Sequence, residues 1–339
     1  MINNAARLPR LWSRWVQVLD HREPAHGLAL FRFFMGLTLL VDLMDLLRHD
    51  LITLLWMSVE DGGYRTYGRT GSWLVNALGG PTPELIWGFW GLCLLASLAL
   101  ILGVLPRVAA LIGLQTFLAL AWVNHHTGGS YDMLITNMLW LLVLADSSAT
   151  GSLTARWHTG RFWPDTPVPA WPRYLVVGQM VTVYLSTGLQ KVSASWVPGG
   201  DLSALYYILQ QPSWQRFDLS FAAHVYPLTQ LGTLATWLFE VGSPVLILAF
   251  WYRATSERPG RLRALFNRFD VRTLWLATGV LLHTGIMVTL DVGPFSTVCV
   301  ASYACFFHAD ELKRVATWFS TRRIARPPSQ EESTPRPEV

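Results

Sequence analysis

Leu85-Ile86-Trp87-Gly88-Phe89-Trp90-Gly91-Leu92-Cys93-Leu94-Leu95-Ala96-Ser97-Leu98-Ala99-Leu100-Ile101-Leu102-Gly103-Val104-Leu105 is a run without a single charged side chain. A helix rises about 1.5 Å per residue, and a hydrocarbon core of ~30 Å needs about 20 mostly apolar residues to cross it. This run meets that length and is apolar on every face, the pattern of a membrane span. Working outward from 85–105, seven further segments read as spans: 28–47, 108–123, 132–146, 174–191, 225–251, 273–290 and 294–309. Two of them, 108–123 and 132–146, are short and separated only by residues 124–130, so that a tight external hairpin and a re-entrant pair both fit. The expected fold class is an all-α integral membrane protein of about eight transmembrane helices.

Composition agrees. Apolar residues make up 52% of the chain and charged residues 14%, against roughly 25% charged in an average globular protein. The 17 Trp residues suit a chain with many membrane–water boundaries, where Trp collects. A net charge of +4 is too small and too scattered for a nucleic-acid footprint, but it fits cytoplasmic loops facing anionic lipid. Cys93, Cys299 and Cys305 lie in apolar runs with no CxxC spacing, and nothing points to a disulfide framework or a zinc site.

No cleavable signal peptide is visible. Residues 7–19 instead place Leu8, Leu11, Trp12, Trp15 and Leu19 at helical spacing, with Arg7, Arg10 and Arg14 on the other face; such a helix lies in a membrane interface. The expected organisation is a cytoplasmic amphipathic segment over 1–27, a transmembrane domain over 28–310, and a cytoplasmic tail over 311–339 that is disordered from about residue 326. With the N-terminus inside, twenty of the 26 basic residues fall in inner segments and five in outer ones, Arg32 lying within the first span. The positive-inside rule therefore puts both termini in the cytoplasm and Lys191 at the outer face.

Charged groups inside a bilayer cost roughly 2.5–3.5 kcal/mol each on insertion scales, so those within the spans mark candidate sites. Arg32 is either an inward-facing partner for a carboxylate, with Glu240 the expected one, or a snorkelling side chain. Asp42 and Asp45 share a helical face near the outer end of the first span. Pro244 follows Glu240 by four residues and removes the helical bond to the Glu240 carbonyl. Tyr184, Gly188 and Lys191 share one face of the fifth span; Gly188 leaves room for a close approach there, and a desolvated Lys191 can serve as a base or, read blandly, snorkel to the outer headgroups. Lys191 is one of only two lysines, with Lys313. His125, His126 and Asp132 cluster at the outer end of the fourth span without a metal-ligand spacing, and His283 sits within the seventh, as a helix contact or a relay.

Several of these pieces form a pattern. Leu28-Ala29-Leu30-Phe31-Arg32-Phe33-Phe34-Met35-Gly36 resembles the opening motif of the HTTM (horizontally transferred transmembrane) family, relatives of the vitamin K-dependent gamma-carboxylase. Gly129-Ser130-Tyr131-Asp132-Met133-Leu134 is similar to that family's "g-x-D-x-L". Tyr184-Leu185-Ser186-Thr187-Gly188-Leu189-Gln190-Lys191, followed by Trp196 and Gly199 or Gly200, resembles its "Y-x-x-x-G-x-x-K-x-x-x-x-W-x-x-G". Glu240 with Pro244 matches its "E-x-x-x-P", and His283, Gly285 and Gly293-Pro294-Phe295-Ser296 resemble its closing motif. The resemblance implies that Lys191 is the base, since the equivalent lysine of the carboxylase is the proposed base toward reduced vitamin K. In an enzyme of this kind Asp132 and one of His125 or His126, with His126 the expected one, orient substrate or shuttle protons, and Arg32, His125, Tyr184, Glu240 and His283 are substrate-side or structural polar residues; the carboxylase's own catalytic histidine has no matching position among His125, His126 and Tyr131. A reduced quinone is then the expected cosubstrate. This chain lacks the large lumenal portion of the carboxylase, so glutamate carboxylation itself is not implied. Another relative matures a secreted toxin peptide of bacilli, which implies the alternative: a non-enzymatic component for maturation, export or immunity of a secreted peptide, working with co-encoded proteins. The expected location is a bacterial-type cytoplasmic membrane. A transporter is disfavoured because no internal symmetry is visible.

Overall fold

The computed structural model describes residues 7–64, 70–124 and 126–314. Fifteen α-helices run through them: α1 (Arg7–Leu19), α2 (His26–Arg48), α3 (Leu51–Trp56), α4 (Trp73–Ala77), α5 (Pro83–Leu102), α6 (Pro106–Ala121), α7 (Ser130–Leu144), α8 (Leu153–Thr159), α9 (Trp171–Gln190), α10 (Ala204–Leu209), α11 (Tyr226–Val241), α12 (Val245–Ala254), α13 (Arg261–Phe269), α14 (Val271–Thr289) and α15 (Phe295–Ser302). The only sheet among the described residues is one short antiparallel pair, β1 (Arg22–Pro24) with β2 (Pro167–Pro169). The tail from Arg326, expected to be disordered, lies outside the described residues.

Each of the eight expected spans contains helix. Three of these helices, α2, α5 and α14, are long and apolar enough to cross a membrane; a fourth crossing arises if residues 220–241 and α12, bent by 54° at their junction, count as one. The helices α6, α7 and α15 are apolar but shorter. The helix α9 reaches 20 residues yet carries Gln179, Thr182, Tyr184, Ser186 and Thr187, which make it less apolar than these three. The chain is thus a largely helical membrane protein with three to four clear spans.

The helices interlock through small residues and pack inside out. On α2, Leu28, Phe31, Met35, Leu39 and Leu43 are buried, while Phe33, Phe34, Leu37 and Val41 face outward. A Cβ at Gly36 would stand 2.8 Å from the Ser97 carbonyl and 2.9 Å from the Ile101 N–H nitrogen, so the α2–α5 contact demands glycine. On α5, Leu92, Leu95, Leu98 and Leu102 are exposed. Large contiguous apolar surface of this kind belongs against lipid.

The described parts of the segments expected inside gather at one end of the bundle. There β1 pairs β2, Arg107 donates to the Ala145 carbonyl at 3.1 Å, Arg173 holds Glu23 and donates to the Cys305 carbonyl at 2.9 Å, and Lys313 meets Asp165 at 2.7 Å. The opposite end joins the segments expected outside: Asn124 donates to the Leu55 carbonyl at 2.9 Å, and Arg216 to the Leu290 carbonyl at 2.9 Å. On α1, Trp12 and Trp15 are exposed.

Two outcomes follow at the basic end. Arg173 is 2% exposed, so Arg173→Met or Glu23→Gln leaves a buried charge without its partner and lowers stability by about 3–5 kcal/mol, measurable by unfolding in detergent. Glu311 binds Arg272, Arg253 and the His308 N–H. Burial raises its pKa, but these three groups outweigh that and hold it below the usual glutamate range. A carboxylate with a lowered folded-state pKa contributes stability that is complete above its ordinary pKa and disappears as pH falls through the folded one. The stability gap between wild type and Glu311→Gln is therefore full at neutral pH and closes in acid; a gap unchanged through acid would contradict it.

Candidate functional site

The C-terminal half of α9 presents a face of small and polar residues to α11. A Cβ added at Gly188 would lie 2.9 Å from the Glu240 Cβ, the Val241 Cγ2 and the Val241 backbone nitrogen. The missing side chain thus lets the backbones of α9 and α11 touch. One residue beyond the end of α9, Lys191 folds back across this contact and its Nζ binds both carboxylate oxygens of Glu240. The Lys191 side chain is 22% exposed and that of Glu240 11%, so the pair sits at a boundary, shielded yet reachable.

Pro244 explains the position of Glu240. Lacking an N–H, it ends α11, and the Glu240 carbonyl takes its hydrogen bond from Ser243 N at 3.2 Å instead. The Ser243 hydroxyl donates to the Val181 carbonyl at 3.0 Å and pins the break to α9. The chain then turns into α12. Glu240 therefore stands level with the end of α9.

Above the pair, the segment after Lys191 turns tightly. Trp196 N donates to the Ser193 carbonyl at 2.9 Å, and Gly199 adopts a φ of 96°, a conformation that favours glycine. The turn lays the Trp196 ring over the ammonium, with Lys191 Nζ 4.5 Å from the ring centroid. Lys191 is thus held by a carboxylate on one side and a π face on the other. Beside it, Leu189 and Val192 are exposed, Val192 by 78%.

One to two turns deeper lies a second polar group. The Tyr184 hydroxyl is 2.8 Å from His283 Nε2 and 2.7 Å from the Tyr303 hydroxyl, and His283 Nδ1 is 3.2 Å from Ser296 Oγ. Phe239 stacks on Trp275 with centroids 4.0 Å apart, and the Tyr184 ring stands edge-on to both. A Cβ at Gly279 would collide with the Tyr303 hydroxyl and come within 2.9 Å of Phe239. His283 is thus one member of a satisfied buried network joining α9, α14 and α15.

The expected pairing of Arg32 with Glu240 does not form. Arg32 is 1% exposed at the basic end, where Nη2 donates to the Gly151 carbonyl at 2.5 Å and Nη1 to the Ser147 carbonyl at 3.3 Å. It clamps the α7–α8 connection, and Glu240 is taken by Lys191 at the other end. Snorkelling is overturned as well, because the guanidinium turns into protein. Asp132 lies in a separate place. It accepts from Gly129 N at 3.0 Å as the cap of α7 and lines a cavity of about 60 Å³ with Asp42, Tyr131 and Trp56. His126 is exposed and its backbone N–H donates to the Asn124 side chain at 3.2 Å; His125 lies outside the described residues. Among the described residues no group of His, Cys, Asp and Glu is arranged to hold a metal ion. Tyr303 was not singled out from sequence; nothing in its spacing marks it. Trp196 and Ser296 lay within the quoted motifs, and only their contacts with Lys191 and His283 give them roles.

Unpairing either member of the Lys191–Glu240 couple leaves a largely buried charge, whereas replacing both by apolar residues removes the desolvation penalty of both. Lys191→Met and Glu240→Leu are each expected to destabilise by about 3–5 kcal/mol and the double variant by far less. Additive losses in a thermal or chemical unfolding cycle would contradict the pairing.

A family model described as HTTM domain matches residues 21–221, more than half of the chain, including Lys191 and Trp196 but not Glu240 or His283. No solved structure matches the chain.

Proposed function

We propose that this chain, which belongs to the HTTM family, is a multi-pass membrane enzyme whose Lys191–Glu240 pair takes a proton from a lipid-soluble hydroquinone or from a peptide at the outer face. The observation that carries this reading is the pair itself: an amine on a carboxylate, roofed by Trp196 and flanked by exposed Leu189 and Val192. A substrate arriving from lipid meets apolar side chains first and the amine next. The outer assignment rests on the basic segments gathering at the opposite end, which the positive-inside rule makes cytoplasmic together with both termini. Eight passes follow if the shorter helices also cross, in a bacterial-type cytoplasmic membrane.

The chemistry follows from the pairing. Glu240 accepts a proton from the Lys191 ammonium and leaves a neutral amine. The amine then takes the proton of the substrate hydroxyl, so that the pair ends with one net positive charge beside the substrate anion. Trp196 shields this charge from water, where low dielectric strengthens it. Glu240 is thus a partner in proton transfer, and Asp132, bound to the α7 cap elsewhere, has no part in the step. Tyr184, His283 and Tyr303 hold α9 in register beneath the pair.

The ion pair also favours a second reading, in which a fixed positive charge binds a secreted peptide for maturation or export. Arginine keeps that charge but cannot lose its proton. Turnover of reduced quinone by protein in nanodiscs is expected for wild type and reduced by about 10²–10⁴-fold, the usual contribution of a general base, in both Lys191→Ala and Lys191→Arg. Folded protein without turnover, in cells where Lys191→Arg still supports peptide maturation, would replace this reading with the second.

A further inference from the structure

At the basic end, remote from Lys191, lies a cavity of about 460 Å³ between α12, α13, α14 and residues 310–314. Arg253, Arg272 and Arg314 line it, with Ser256 and Asn267 among its polar groups and Ala249, Phe266 and Val271 among its apolar ones. We propose that this cavity holds the phosphate of an anionic phospholipid from the adjoining leaflet, with α13 lying in the membrane interface as the wall that admits it.

Three observations support this. Arg272 is 2% exposed; its Nη1 donates to the Phe306 carbonyl at 3.0 Å and Nη2 binds Glu311. It therefore fixes one guanidinium at the cavity, with Arg253 and Arg314 lining the same space, and charge-assisted bonds from arginine to phosphate are among the stronger ones. Second, residues 253–272 carry six arginines against Glu257 and Asp270. The arginines at the cavity already meet carboxylates, Arg272 and Arg253 at Glu311, Arg272 at Asp270 and Arg314 at Asp310, and the phosphate draws on the positive charge left over, since 253–272 and 310–314 carry eight basic residues against four acidic ones.

Third, α13 identifies the source of the phosphate as lipid. Leu262, Leu265 and Phe269 form one stripe along it, 62%, 48% and 61% exposed; bordering the stripe Phe266 packs edge-on against Tyr252, and on the far side Asn267 donates to the Tyr252 carbonyl at 3.2 Å. Isolated helices of fewer than about 12 residues are marginal in water. A nine-residue helix with a bare apolar stripe and flanking arginines has the pattern of one laid in a headgroup region. A free phosphate would use the arginines and leave this stripe without purpose.

The test compares binding of phosphatidylglycerol, phosphatidylcholine and inorganic phosphate to the full chain in detergent, by native mass spectrometry and thermal shift. Phosphatidylglycerol is expected to bind at least tenfold more tightly than phosphatidylcholine and to raise the melting temperature. Arg253→Gln and Arg314→Gln should each reduce that preference. Leu262→Ser/Leu265→Ser, at positions exposed enough to spare the fold, should weaken binding of the lipid while the lipid-free melting temperature stays at the wild-type value. Equal binding of the two lipids would overturn the proposal, as would inorganic phosphate giving the full thermal shift or the serine variant binding like wild type.

Discussion

At Gly188 the backbone of one helix touches another, and the arrangement of the candidate site depends on that contact. Helices with side chains between them pack at axial distances of 8–10 Å. Removing the Cβ at this one position brings α9 against Glu240 and Val241, within reach of a lysine one residue past the helix end. A charge pair in a poorly solvated place stabilises only if its geometry is good, because desolvation of both ions must be offset. Glycine supplies the approach, Pro244 ends α11 where the carboxylate is needed, and the turn through Gly199 brings Trp196 over the ammonium.

The same demand organises the rest of the interior. Arg32, Arg173 and Arg272 are almost wholly buried, and each is anchored on carbonyls or carboxylates near the basic end. Tyr184, His283, Tyr303 and Ser296 satisfy one another in the middle. The buried polar groups thus sit where several helices converge, and the exposed faces of α2 and α5 carry Leu, Phe and Val. On α9 Tyr184 alone of the polar side chains joins this network, while Thr182 and Thr187 are exposed and return their hydroxyls to carbonyls of their own helix.

Much of the helix inventory was legible in the sequence, because continuous apolar runs such as 85–105 permit little else. Lys191, Gly188 and Tyr184 were legible as one face, since helical spacing alone fixes which residues align. The partner of Lys191 was not. Glu240 lies 49 positions away, and spacing within one helix carries no information about which neighbouring helix faces it. Arg32 illustrates the same limit: a lone arginine in an apolar run demands compensation, but the sequence does not distinguish a distant carboxylate from the carbonyls of Ser147 and Gly151. Asp132 likewise stands out in sequence as a charge, and the structure adds that it caps its own helix through the Gly129 N–H. The short helices α3, α4, α10 and α13 lie between the apolar runs, where hydropathy is silent.

If Lys191 is the group that meets substrate, a lipid-soluble molecule must come to rest against the end of α9. The most direct measurement is photo-crosslinking of the purified protein in nanodiscs with a photoreactive hydroquinone analogue, read by peptide mapping. The expected result is labelling concentrated on residues 189–196 and suppressed by excess unlabelled hydroquinone. Labelling spread evenly over the lipid-facing helices, or gathered at the Asp42–Asp132 cavity, would contradict a substrate site at the Lys191–Glu240 pair.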